Sequence, residues 1–190
     1  MILYLDETSK STIRRLQEHD YEFNGKLIFD ANGKINDIES RAGQEMAICN
    51  DYCVNFHTHP TNYTELYPDH PSAQDFKYIF NATCVQRSLI VHLIFTPKYI
   101  YIISFSCGIG ILNYFLIYRR IDSIFNRLSE SFDRSTEAFR VRYIEEMQNI
   151  GFDIKRHSYT SHIEIDTSKK PCFLIFKQVV IIFMFIIILA

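Results

Sequence analysis

Residues 55–76 read "NFHTHPTNYTELYPDHPSAQDF", and they carry a passage from strand to helix around which the rest of the chain can be arranged. Upstream, "MAICNDYCVNFHTHP" (46–60) is rich in apolar and aromatic residues and predicts one or two strands running into His57 and His59. Pro60 has no amide proton to give a ladder, so the strand ends there. Residues 61–71 are polar, aromatic and proline-containing, which predicts a loop. Ser72 then suits an N-cap, and Phe76, Ile79, Phe80 and Thr83 recur at helical spacing behind it. The two histidines therefore sit at a strand end, and Asp75 sits in the first turn of the following helix.

Working outward, "DETSKSTIRRLQEHD" (6–20) predicts a short amphipathic helix over about residues 9–19. Asn32-Gly33 between two apolar runs predicts a hairpin with strands near 22–30 and 34–39, closed by a tight primed turn. "SLIVHLIFTPKYIYIISF" (88–105) breaks at Thr96-Pro97-Lys98 into an expected antiparallel pair. The uncharged run from Tyr99 to Tyr118 divides into a strand and the start of a helix. "NYFLIYRRIDSIFNRLSESF" (113–132) and "STEAFRVRYIEEMQNIGF" (135–152) predict two helices, the second stopped by Gly151. Together these predict an α/β or α+β fold in which helices flank a sheet. The expected organisation is a core over 1–106, a helical extension over 107–168 that completes the domain, and a hydrophobic tail from 172 onward.

A length of 190 residues suits one domain. The net charge of −2, with both signs interspersed, argues against a nucleic-acid partner, for which a broad basic field is needed. Five scattered cysteines and no signal-peptide pattern predict free thiols in a reducing, intracellular compartment. Cys49 and Cys53 are read as strand residues. The bias toward Ile, Phe, Tyr and Asn suits an AT-rich coding sequence and carries no function. The tail "CFLIFKQVVIIFMFIIILA" (172–190) is apolar except for Lys177 and Gln178. As a helix it would be about 28 Å long, near the roughly 30 Å hydrocarbon core of a bilayer. A cytosol-facing membrane anchor is expected, with Lys169, Lys170 and Lys177 at the headgroups; a buried strand or an interfacial segment is the alternative.

Residues two apart on a strand share a face, so His57 and His59 can converge on one point, and Asp75 can supply a third ligand. Two imidazoles and a carboxylate with one position open form the ligand set of a catalytic zinc rather than a structural one. Plainer roles stand beside these: polar residues at a strand end, Asp75 favouring the positive end of a helix, Ser72 as an N-cap alone. His70, in Pro68-Asp69-His70-Pro71, reads as a solvated loop histidine. The sequon Asn81-Ala82-Thr83 falls in a predicted helix and is set aside.

His57-Thr58-His59-Pro60 followed by Ser72-Ala73-Gln74-Asp75 resembles the H-x-H-P … S-x-x-D motif of the JAB/MPN metalloprotease family, often called JAMM. Glu22-Phe23-Asn24-Gly25 stands where that family carries E-x-x-G. The resemblance covers roughly residues 10–105. It implies a curved sheet flanked by helices, with His57, His59 and Asp75 holding a zinc ion and its water. It further implies Glu22 as the general base, preferred over Glu18, Glu39 and Glu45 because of Gly25. Ser72 would steady the water or the oxyanion. The implied reaction is hydrolysis of amide or isopeptide bonds, most simply in ubiquitin or ubiquitin-like conjugates. A non-catalytic MPN scaffold, or a peptidase for other peptides or small amides, is the alternative. The loop 61–71 is longer than in many members, and only thirty-five residues separate Glu22 from His57.

Overall fold

A computed structural model describes residues 2–43, 53–62, 69–86, 91–105 and 111–167. In chain order the elements are β1 (Ile2–Leu5), α1 (Glu7–Leu16), β2 (Phe23–Phe29), β3 (Ile35–Ala42), β4 (Cys53–Thr58), α2 (Ala73–Asn81), β5 (His92–Phe95), β6 (Tyr99–Phe105), α3 (Ile111–Ser131), α4 (Glu137–Asn149), β7 (Phe152–Ser158) and β8 (Ile163–Asp166). Six strands form one mixed sheet in the order β3-β2-β4-β5-β6-β7. Only β4 and β5 run parallel, and α2 lies in the crossover between them, because a parallel pair cannot be joined by a tight turn. β1 and β8 pair antiparallel as a separate ribbon. The described residues thus form an α+β fold with a mixed sheet and four α-helices.

Both faces of the sheet's central strands are buried. On one, Ile94, Tyr101, Ile103, Phe152 and Ile154 meet side chains of α2, α3 and α4 such as Phe76, Ile121 and Phe139. On the other, Leu27, Phe56, Leu93 and Phe95 meet Ile13 of α1 together with Leu3, Leu5, Ile163 and Ile165 of the ribbon. β5 and β6 are covered on both sides, which is why they read as unbroken apolar runs rather than alternating ones.

Several expectations are corrected. Helix α1 begins two residues before residue 9 because Asp6 caps it, its side chain accepting from Ser9 N–H at 2.7 Å. The hairpin at Asn32-Gly33 is present, but its loop is not the two-residue primed turn. Gly33 N–H donates to Asp30 C=O at 3.0 Å, Asp30 N–H to Lys34 C=O at 2.9 Å, and Gly33 takes φ 80°. That is the three-residue loop with a left-handed final residue. Asp30 selects it, its carboxylate accepting from the N–H groups of Asn32 and Lys34. Residues 107–168 hold α3 and α4 but also β7 and β8, so this segment is not purely helical. β7 joins the main sheet beside β6, and β8 closes the ribbon with β1.

Among the described residues no helix is long and apolar enough to cross a membrane. The tail 172–190 lies outside them, as do Cys49, Cys107, Cys172 and residues 63–68 of the long loop. Cys84 is buried among the core residues on the helix-covered face of the sheet.

Candidate metal centre

The site forms where the C-terminal end of β4 meets the N-terminal end of α2, outside the carboxyl end of a parallel strand. His57 is register partner to Ile94 of β5 and lies on the sheet face that the helices cover. Beyond the strand, His59 N–H donates to Phe95 C=O at 2.8 Å, which extends the pairing and turns the second histidine inward. Gln17, fully buried at the end of α1, clamps this turn. Its Nε2 donates to the carbonyls of His59 (3.1 Å) and Phe95 (2.9 Å), its Oε1 accepts from Tyr159 O–H (2.7 Å), and its carbonyl accepts from Thr61 N–H (2.8 Å). Gln17→Leu removes the side-chain donor of the buried His59 carbonyl, while Tyr159 O–H keeps the Thr96 carbonyl as acceptor at 2.7 Å. A loss of about 2 kcal/mol is expected in a urea melt, following the usual cost of unpaired buried polar groups; an unchanged midpoint would contradict the clamp.

At the helix end Ser72 is the N-cap, as expected, and Asp75 completes a capping box. Ser72 Oγ accepts from Asp75 N–H at 3.1 Å, and Asp75 Oδ2 accepts from Ser72 N–H at 2.6 Å. The box fixes the carboxylate rotamer, so Asp75 reaches the histidines with little conformational freedom left to lose.

His57 Nε2 lies 3.2 Å from His59 Nε2 and 3.3 Å from Asp75 Oδ1, and His59 Nε2 lies 3.6 Å from Asp75 Oδ2. Ligand atoms about 2.0–2.1 Å from a tetrahedral zinc stand roughly 3.3 Å apart, so the three donors already span one face of such a polyhedron. Both imidazoles are buried, while the Asp75 side chain is 15% exposed. Burial pushes the Asp75 pKa up, but His57 and His59 outweigh it and hold the carboxyl well below its ordinary value. These three form a group able to hold a metal, and the donor set fits zinc.

Glu22 stands just before β2. Its carbonyl accepts from Gly43 N–H at 3.0 Å, and the next amide, Phe23 N–H, donates to Thr58 Oγ1 at 3.0 Å, which ties this segment to the histidine strand. Burial raises the Glu22 pKa, His57 and His59 lower it, and Asp75 raises it again, with a net upward shift. All four expected polar residues of the centre therefore share one electrostatic environment, and Ser72 stands beside it as the cap of Asp75.

His70 corrects the sequence reading: it is fully buried, not solvated. Its ring centroid lies 5.0 Å from Phe139 and 5.8 Å from Tyr143, and Nδ1–H donates to Pro71 C=O at 2.8 Å. Burial pushes its pKa down to about 4. Sequence reasoning also passed over His92, whose Nε2 lies 2.8 Å from His57 Nδ1, and Gln17. The signal for His92 is a lone imidazole inside the apolar run "SLIVHLIF"; for Gln17 no local signal exists.

Comparison with protein-family models, with curated proteins and with solved structures finds no match.

Proposed function

We propose that the chain is a zinc-dependent hydrolase of amide or isopeptide bonds. The observation that carries the proposal is the near-tetrahedral spacing of His57 Nε2, His59 Nε2 and the Asp75 carboxylate beside Glu22. Zinc held by these three residues would polarise a scissile carbonyl and acidify a water molecule near neutral pH. Glu22, a half-buried carboxyl with a raised pKa, is suited to take the water's proton and return it to the leaving amine. Ser72 Oγ already accepts from Asp75 N–H, and its own O–H remains available to donate to a developing oxyanion. The substrate class, a ubiquitin or ubiquitin-like conjugate, rests on the resemblance of the three motif pieces to the JAB/MPN family. Within the same proposal, residues 172–190 anchor the domain to a membrane with the site facing the cytosol.

Elemental analysis of the purified full-length chain, beside Glu22→Gln and His57→Ala, tests it. About one zinc per chain is expected in the parent and in Glu22→Gln, and less than a tenth of that in His57→Ala. Hydrolysis of a di-ubiquitin panel should fall by about 10²–10⁴ in Glu22→Gln, the usual size of a lost general base. A zinc-free parent would sink the hydrolase. A zinc-loaded parent that cuts no panel member would remove ubiquitin as substrate.

A further inference from the structure

The geometry assigns to His92 the part of a positioning residue: through its contact with His57 Nδ1 it holds His57 in the tautomer whose Nε2 lone pair faces the centre. This rests on the proposed metal site and goes beyond its three ligands.

His57 has two ring nitrogens and two different neighbours. Nε2 faces His59 and Asp75, while Nδ1 faces His92 Nε2 at 2.8 Å, with the two rings 5.0 Å apart and tilted by 31°. An imidazole that gives Nε2 to a metal carries its proton on Nδ1, and that proton needs a buried acceptor. His92, fully buried at the start of β5, can be that acceptor only if its own proton sits on Nδ1.

Asn55 of β4 is the register partner of His92 across the parallel pair, and it too is buried. Among the described residues, Asn55 Oδ1 and His92 Nδ1 are both buried polar atoms without a hydrogen-bond partner, so they do not bond each other, and the contact that His92 makes is the one with His57. A proton on His92 Nδ1 leaves its Nε2 as the acceptor for His57 Nδ1–H, and this presents Nε2 of His57 as a lone pair before any metal arrives. The alternative, in which His92 donates to His57 Nδ1, would place a proton on His57 Nε2, against the metal.

The test uses the full-length chain, stripped of metal and titrated with Co²⁺ against a chromophoric chelator, with His92→Gln and His92→Leu. Gln offers a carbonyl oxygen near the place of His92 Nε2, so its affinity and visible absorption should stay within about threefold of the parent. Leu offers no acceptor, so affinity should fall by about 10–100-fold, the usual loss for an outer-shell partner, with a shifted ligand-field band. His92→Leu matching the parent in both affinity and spectrum would overturn the assignment. Should that variant fail to fold, nitrogen-15 histidine spectra of the metal-free parent decide instead. Protons on Nδ1 of both His57 and His92 support the assignment, and a proton on His57 Nε2 overturns it. A parent that takes up no cobalt would defeat the hydrolase proposal, while the tautomer spectra would still decide the role of His92.

Discussion

Gly25→Ala is expected to cost about 3 kcal/mol or more of folding stability, toward the upper end of what overpacking a core usually costs. Gly25 lies in β2 with β3 on one side and β4 on the other, as register partner to both Ser40 and Phe56. A Cβ there would fall 2.2 Å from the Glu39 carbonyl oxygen and 2.6 Å from the Phe56 ring. The first obstacle is ladder backbone and the second is a fully buried ring in the core beneath the sheet, so neither can yield by rotating into solvent. Phe56 immediately precedes His57, and displacing it shifts the strand that carries the site. Urea melts and cobalt titration should therefore worsen together. In Gly25→Ala with Phe56→Leu, the ring contact is relieved but the Glu39 contact remains, so the pair should not regain the parent's stability. Parent-like stability in the single variant would show that the strand yields freely. The glycine of the E-x-x-G string is thus required by sheet packing, and by itself it says nothing about the catalytic standing of Glu22.

Acid should weaken the fold through His70. In the folded chain burial holds its pKa down to about 4, whereas an exposed imidazole titrates near 6.5. Above about pH 6.5 the ring is neutral in both states and stability is unaffected by it. As pH falls from there toward 4, the unfolded chain takes up a proton that the folded chain refuses, so stability declines. The full difference corresponds to about 3 kcal/mol. His70→Phe places an uncharged ring among Phe125, Phe139 and Tyr143 and should lose this slope. The measurement is the unfolding free energy of parent and variant at pH 7, 5.5 and 4. The parent should drop relative to the variant, and parallel curves would show that His70 is not the titrating group. Groups common to both proteins, Asp75 and Glu22 among them, cancel in the comparison.

What the sequence disclosed was mainly what local chemistry controls. Alternation on a strand brought His57 and His59 together, and helix capping set Ser72 and Asp75 opposite them, because each rests on spacing of three residues or fewer. The hairpin at Asn32-Gly33 was visible for the same reason, although the side chain of Asp30 chose a different loop. What escaped were elements whose reason lies far along the chain. β1 and β8 are four residues each and pair with each other from opposite ends of the described residues, with one further bridge from Tyr4 to Lys34. His70 sits in a segment that looks solvated, and the rings that bury it come from α3 and α4. His92 was hidden in a run whose apolar character announced a buried strand and drew attention away from its one imidazole.

The ribbon also orders events in time. Ile2 is paired with Asp166 and Leu5 with Ile163, so β1 leaves the ribosome long before its partner β8. Until those emerge, the face of the sheet bearing Leu27, Phe56 and Leu93 lacks Ile163 and Ile165 and stays partly open to solvent. Such a large sequence separation makes closure of that face a late and slow event, and it exposes an apolar surface to chaperones and to neighbouring chains throughout synthesis. Everything from β1 to β8 must be translated before the side of the sheet opposite the histidines is sealed.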